Sequence, residues 1–422
     1  MKLSLVIGLI VPFVAAKVSY DGWKTYTIQT DLSYEALTSL LKDINHVSLS
    51  CGNSQGSLEL AISSQDLDDF KALNLNNTLT NDDLGTDIAK EGMLESYHPT
   101  TKNQGLMAAL PDKSYFKSYH NLEHHFQFLS DLHASFPNNS EIFSAGKSVQ
   151  NREIRGIHLW GNGANGKNPA IVWHGNVHAR EWITAMTVEY MTYKIIQGYK
   201  SDDSLIRDTL DSYDFYIMLI VNLDGFVYTT TTDRLWRKNR QKRSHESCVG
   251  TDINRNWPYK WNVPGGASKY PCDETYRGLE AGDTPENQAL VNHTMTISKN
   301  TGIRSYVDWH SYSQLILLPY GYDCAAKAHN LETQMDLASG VAGAIRKVHG
   351  LEFEYGPTCE TIYQTSGESS DWVFDVAKAE LSWGIELRPR RLTGDGFVVP
   401  AGQIVQSGEE IWAGMKYLFS HL

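Results

Sequence analysis

Short apolar runs recur along the C-terminal part of the chain, at 154–159, 170–174, 216–221 and 306–310. Runs that are apolar at nearly every position suit strands buried on both faces, not strands with one wet face. Between them, apolar residues repeat at helical spacing, as at 184–197 and 286–297. This alternation predicts a mixed α/β domain over 114–422, with a largely parallel central sheet flanked by helices. Ligands of such sheets bind beyond the carboxyl ends of the strands, so the residues following each run are where chemistry is sought.

A smaller unit is expected ahead of it, over 17–100. Residues 26–30 alternate like a strand and 34–44 carry apolar residues at helical spacing. Strand-like stretches at 47–49 and 58–62 and a second helical stretch at 65–73 complete a small open-faced α/β sandwich. Polar sequence fills 74–112, and 101–113 reads as an exposed linker suited to proteolysis. Lys102 and Lys113 are its candidate cleavage points for a trypsin-like protease, and no dibasic pair lies there.

The N-terminus has its own signature. Lys2, the apolar run 3–14, Ala15 and Ala16 form the basic, hydrophobic and small-residue regions of a signal peptide over 1–16. The run is too short to span a bilayer. Later segments are less apolar, so a secreted product is expected, in the medium, cell wall or vacuole. Export permits disulfides. Cys248 and Cys272 bracket one loop-rich stretch, Cys324 and Cys359 another, and Cys51 is left over. Pairing within each bracket would stabilise by about 3 kcal/mol. Sequons at Asn76, Asn138 and Asn292 fit export. Residues 17–105 hold six Lys, no Arg and thirteen Asp plus Glu, a net −7 of the chain's −12. An acidic lid over a basic cleft is the reading this suggests. The acidic balance and the lack of a basic stripe argue against nucleic acid as a partner.

His178-Ala-Arg-Glu181 follows the run that ends at His174. A strand, a short loop, and His and Glu three apart at the start of a helix put both side chains in one mouth. Catalytic zinc takes three protein ligands and an open position, and two His with one Glu is an established set. His310, ending the run 306–310, is suited to be the third. A bare HxxE is a weak signal, and its weight comes from what surrounds it. Glu386 ends another strand-like run and is a candidate proton carrier. Arg237 is a candidate for stabilising an oxyanion, and Asn254-Arg255 for gripping a terminal carboxylate. Asp252 is a candidate acceptor behind a metal-bound histidine.

Taken together, His178-Ala-Arg-Glu-Trp-Ile-Thr184, Asn222-Leu-Asp-Gly225, Arg234-Leu-Trp-Arg-Lys238, Asp252-Ile-Asn-Arg-Asn-Trp257, His310-Ser-Tyr-Ser-Gln314, Ile362-Tyr-Gln-Thr-Ser-Gly367 and Glu386-Leu-Arg388 resemble the metallocarboxypeptidase A/B family, in the family's order. The resemblance spans essentially the whole chain, because the N-terminal unit resembles the family's activation domain. It implies a monomeric zymogen that removes C-terminal residues from peptides, with one zinc ion on His178, Glu181 and His310. Glu386 then matches the general base, Arg237 the oxyanion-stabilising arginine, and Asn254 with Arg255 the carboxylate grip. Tyr363 matches a mobile tyrosine that closes over the substrate's end, and Arg180, Tyr312 and Phe397 match the neighbouring subsites. Gly321, Thr358, Thr365, Glu368, Ser370 and Gly384 match the specificity pocket. The first cysteine bracket matches a pair general in the family, and the second one found in some members.

Two departures bear on specificity. After Arg388 the chain runs Pro389-Arg390-Arg391 and is longer before Gly396-Phe397 than the family pattern. Ser370 stands where basic-preferring members place Asp and aromatic-preferring ones an apolar residue. A preference leaning to large apolar or aromatic C-terminal residues is expected, with basic ones tolerated because Glu368 could attract Lys or Arg. A non-catalytic peptide-binding member is the competing reading; it calls for a lost ligand or a lost Glu386, and both are kept. A zinc deacylase would not need Asn254, Arg255 and Tyr363.

Overall fold

The computed structural model describes residues 17–32, 34–50, 56–98, 109–162, 165–391 and 396–422. The expected signal peptide, Cys51 and Lys102 lie outside the described residues.

The N-terminal unit is a four-stranded antiparallel sheet of β1 (Lys24–Gln29), β2 (His46–Ser48), β3 (Ser57–Ile62) and β4 (Asn77–Asn81), ordered β2-β3-β1-β4. Helices Tyr34–Leu40, Leu67–Ala72 and Leu84–Glu91 accompany it. Tyr26, Ile28, Leu58, Leu60 and Phe70 form its own small core. β4 and the helix after it fall within the stretch 74–112, read above only as polar sequence. Asp83 caps that helix, accepting from the Thr86 backbone N–H.

The larger unit is built on an eight-stranded sheet: β5 (Ser140–Lys147), β6 (Glu153–Leu159), β7 (Ala170–Gly175), β8 (Asp214–Met218), β9 (Ile303–Ser313), β10 (Leu315–Leu318), β11 (Glu354–Pro357) and β12 (Leu381–Arg390). Their order is β11-β10-β12-β9-β7-β8-β6-β5. The central strands β12, β9, β7 and β8 run parallel, with antiparallel pairings further out at β6/β8, β5/β6 and β10/β12. Every residue of β7 is buried, as expected for a central strand covered by helices on both faces. Trp173, Trp309 and Trp383, on three adjacent strands, are fully buried and fill the middle of the core. Truncating any one of them to Ala would cost about 3–5 kcal/mol. On one face, helix Ile404–Phe419 closes against helix Trp182–Lys200 through Gly408. A Cβ at Gly408 would come 2.4 Å from the Tyr190 ring. Disulfides Cys248–Cys272 and Cys324–Cys359 tie the loop-rich stretches. Among the described residues, no helix is long and apolar enough to cross a membrane.

The two units meet over the carboxyl ends of the parallel strands. Tyr20, Trp23, Leu49 and Leu84 of the first pack with Leu235, Tyr312, Phe397 and Val398 of the second. Arg180 Nη1 donates to Ser48 O at 3.1 Å, Tyr20 Oη to Asp233 Oδ1 at 2.6 Å, and Tyr312 Oη to Glu59. Arg234 forms a buried bidentate pair with Glu91, its Nε 2.6 Å from Oε2.

Candidate metal centre and active site

β7 ends at Gly175, and a tight loop leads into helix Trp182–Lys200. Asn176, at φ 53°, bends that loop, and its side-chain amide donates to Glu181 O at 3.1 Å. The loop thereby turns His178 and Glu181 inward. β9 delivers His310, and β12 places Glu386 directly beside it, the two being register partners. Two sequence expectations shift here: β9 continues past His310 to Ser313, and Glu386 lies within β12 instead of at its end.

His178, Glu181 and His310 are buried, and one ligand atom from each lies within 4.8 Å of the others. His178 Nδ1 is 2.8 Å from Glu181 Oε1, and His310 Nδ1 is 3.1 Å from His178 Nδ1 and 3.4 Å from Glu181 Oε2. Burial works against ionising Glu181, but the two histidines outweigh it and hold the carboxyl down at about 2. Each imidazole has a carboxylate at its far nitrogen: Asp252 Oδ1 is 3.3 Å from His178 Nε2, and Asp308 Oδ2 is 3.1 Å from His310 Nε2. Both Nδ1 atoms are thereby left facing the centre. Two imidazole nitrogens and a charged carboxylate converging on one point, each ring backed by an acid, fit zinc.

Around this centre lies a cavity of about 610 Å³. Arg237, Asn254, Arg255, Tyr312, Tyr363, Phe397 and Glu386 all line it. Arg237 donates to Asp252 Oδ2 through Nε at 3.1 Å and Nη2 at 2.8 Å, and its Nη1 is 3.9 Å from Glu181. Asn254 Nδ2 sits 3.4 Å from His310 Nε2, and Asn254 Oδ1 accepts from the Ser369 backbone N–H at 2.8 Å. Among the described residues, Glu386 Oε2 is buried without a hydrogen-bond partner. Burial, with Glu181 and Asp308 adding to it and His310 and Arg237 opposing, pushes the Glu386 carboxyl up to about 8. Thr358, Thr365, Glu368, Ser370 and Gly384 line the same cavity. Gly321 lies behind that wall, against Thr365 and Glu368. Arg180 does not line the cavity; it lies under the Phe397 ring, 4.0 Å from its centroid, and 3.2 Å from Glu274.

The likeness to known proteins follows this geometry. A model of the zinc carboxypeptidase family matches residues 125–414. The chain belongs to the zinc carboxypeptidase family. It is 39% identical to metallocarboxypeptidase A of Arthroderma otae over 95% of this chain and 93% of that one. It is 44% identical to a metallocarboxypeptidase A-like protein of Trichophyton verrucosum, over 83% and 81%. Carboxypeptidase A2 of Rattus norvegicus is 36% identical over 73% and 71%. Among solved structures, thrombin activatable fibrinolysis inhibitor superposes with a TM-score of 0.82 at 25% identity, covering 95% of this chain and 98% of that one. The protein is a zinc metallocarboxypeptidase acting on peptides.

Some residues at the site went unmarked in the sequence. Asp308 is the acid behind His310, and its signal was available: it lies two residues earlier on a strand, hence on the same face. Leu49, Ser50, Ser57 and Glu59 of the N-terminal unit also line the cavity, and nothing local in their sequence points to it.

Proposed function

We propose that this metallocarboxypeptidase is secreted as a zymogen and, once its N-terminal unit is released, removes single residues from free peptide C-termini. The observation that carries the reading is that Glu386 and Arg237 line the same cavity as the His178, Glu181 and His310 triad. When zinc is bound, it supplies Lewis acidity that polarises the scissile carbonyl and acidifies water. Glu386 takes the proton of the attacking water and passes it to the leaving amine. Arg237, oriented by Asp252, faces the developing oxyanion. Arg255 and Asn254 hold the terminal carboxylate, which restricts cleavage to the last residue. Tyr363 closes over that end, while Tyr312 and Phe397 border the neighbouring residues and Arg180, which does not reach the cavity, supports the Phe397 ring from beneath. The recess of Gly321, Thr358, Thr365, Glu368, Ser370 and Gly384 receives the departing side chain.

The zymogen reading is supported by Leu49, Ser50, Ser57 and Glu59, which cover the cavity from the N-terminal side. Lys102 and Lys113 stay the candidate cleavage points for a trypsin-like protease; Lys113 is exposed and opens a 3₁₀ turn, Lys113–Lys117, whose Tyr115 and Phe116 are buried. Secretion is supported by the two disulfides and the pattern of residues 1–16. The asparagines of the three sequons are exposed and so open to glycosylation.

The test is mass spectrometry of a C-terminally varied peptide library incubated with full-length protein, with trypsin-treated protein, and with trypsin-treated protein plus a zinc chelator. Loss of single C-terminal residues only in the treated, zinc-loaded sample is expected. Internal cleavage, or equal trimming by the untreated chain, would contradict the reading.

A further inference from the structure

Of the six residues proposed above to receive the departing side chain, Glu368, 4% exposed, is the ionisable one. Its Oε2 accepts from Thr365 Oγ1 at 2.6 Å and its Oε1 from Ser370 Oγ at 3.0 Å. Hydroxyls satisfy lone pairs but leave the charge uncancelled. Among the described residues, no Lys, Arg or His lies within ion-pair reach of it. Behind it stands Asp371, also buried and, among the described residues, also without a cation; it accepts from the backbone N–H of Gly321 at 3.1 Å and of Tyr322 at 3.2 Å. Burial, with Glu368 alongside, pushes its carboxyl well above the ordinary range, which leaves Glu368 the charged member of the two. Taking a carboxylate out of water without a counter-charge costs several kcal/mol, so buried acids are ordinarily paired.

The chain has made room for this acid. A Cβ on Gly321 would come 1.9 Å from Thr365 Oγ1 and 2.5 Å from Glu368 Oε1, so a side chain there would displace the carboxylate from its seat. Elsewhere on the wall, Gly384 leaves space, since a Cβ there would meet nothing nearer than Leu317 Cβ at 3.7 Å. The Ser369 backbone N–H, next to Glu368, is bonded to Asn254 Oδ1. That bond fixes the acid relative to the residue proposed to hold the substrate's carboxylate. An aromatic or aliphatic side chain entering here would strip water from Glu368 and return no bond. A cationic one would supply the missing charge and a charge-assisted hydrogen bond.

We propose that Glu368 anchors the cationic end of a C-terminal Lys or Arg, so that this recess selects basic residues over aromatic and aliphatic ones. The inference rests on the reading of the cleft as a peptidase site, and it moves the specificity away from the apolar preference suggested by the uncharged Ser370. The anchoring charge comes from the wall instead of from the Ser370 position.

The test measures kcat/KM on peptides differing only in a final Lys, Arg, Phe or Leu, using zinc-loaded full-length protein after trypsin treatment. Lys and Arg are expected to be preferred by at least about tenfold. Glu368→Gln is expected to collapse the Lys-to-Phe ratio by about a hundredfold, mainly through KM, as when one partner of a buried charge pair is lost. Glu368→Asp, which keeps the charge on a shorter stem, should fall between the two and serves if the Gln variant misfolds. A wild-type preference for Phe or Leu, or an unchanged ratio in both variants, would overturn the proposal while leaving the peptidase reading intact. Trimming of no peptide at all would count against that reading instead. Calorimetric binding of free Arg and free Phe then decides the recess on its own. Tighter Arg binding, lost on Glu368→Gln, upholds the anchor, and equal binding removes it.

Discussion

Asp252 and Asp308 back the two imidazoles of the metal triad in different ways. Asp252 is shared with Arg237, whereas Asp308 also accepts from Ser369 Oγ at 2.6 Å and faces His174 Nδ1 at 3.2 Å. Asp308→Asn keeps the shape but weakens the acceptor behind His310, so zinc affinity should fall about 10–100-fold, measured by competition with a chromophoric chelator. Full affinity in the variant would mean that neighbouring packing alone aligns the ring. Glu386→Gln should reduce turnover by several orders of magnitude while the protein still binds zinc, because only the proton carrier is lost. The upward push on Glu386 gives this residue a second signature. With its carboxyl at about 8 in the metal-free protein, it holds a proton at neutral pH. A dication alongside favours the ionised form, so zinc uptake at pH 7 should release a proton from this site, and that share should vanish as pH rises past 8. Calorimetry in buffers of differing ionisation enthalpy counts the protons. An identical count in Glu386→Gln would assign the release to another group.

At the scale of elements, hydrophobicity reported burial more faithfully than pairing. The run 170–174 is β7 almost to the residue, because a strand covered on both faces leaves no polar position to confuse its reading. The run 216–221 misled: β8 ends at Met218, and Leu219, Ile220 and Val221 are buried in the loop that follows. β4 escaped notice for the opposite reason. It is an edge strand with mostly exposed side chains, held to β1 through backbone bonds that any residues can make. The metal ligands were legible because they occupy fixed spacings at element ends. Asp308 was not singled out, because one acid in an apolar strand looks like an interruption until its period-two relation to His310 is considered. The roof residues could not be found locally, since their role arises from docking between units far apart in sequence. The loop between β7 and its helix offers a direct check on element-level positioning. Asn176→Ala removes the amide bonds to Ala179 O and Glu181 O and puts a Cβ-bearing residue without a polar group at positive φ. A loss of about 1–3 kcal/mol is expected, together with weaker zinc binding, read from denaturant midpoints with and without zinc. A stability loss without any change in zinc affinity would detach the loop from the ligand geometry.

On the scale of the whole molecule, the question is what holds the N-terminal unit over the cleft and how tightly. Its interface combines a small apolar cluster with the Glu91–Arg234 pair, in which both side chains are almost fully buried. Burial nonetheless raises the Glu91 carboxyl despite Arg234 beside it, so desolvation is not fully offset by the attraction. The pair therefore adds little net docking energy while making each partner depend on the other. Arg234 also donates to Arg180 O at 2.7 Å and Phe397 O at 3.0 Å, which anchors it to the larger unit whether or not the smaller one is docked. Glu91→Ala would leave that guanidinium buried without its counter-charge only in the docked arrangement. Undocking returns it to water, so the substitution should favour the open form by about 3–5 kcal/mol. If the N-terminal unit is the proposed lid, the uncleaved Glu91→Ala chain should trim peptides measurably where the uncleaved wild type does not. The protease-treated forms of both should be indistinguishable, since residue 91 lies on the released side of the cut. Silence of the folded, uncleaved variant would assign closure to the apolar cluster and the Tyr312–Glu59 bond, with the ion pair serving only to set the docking register.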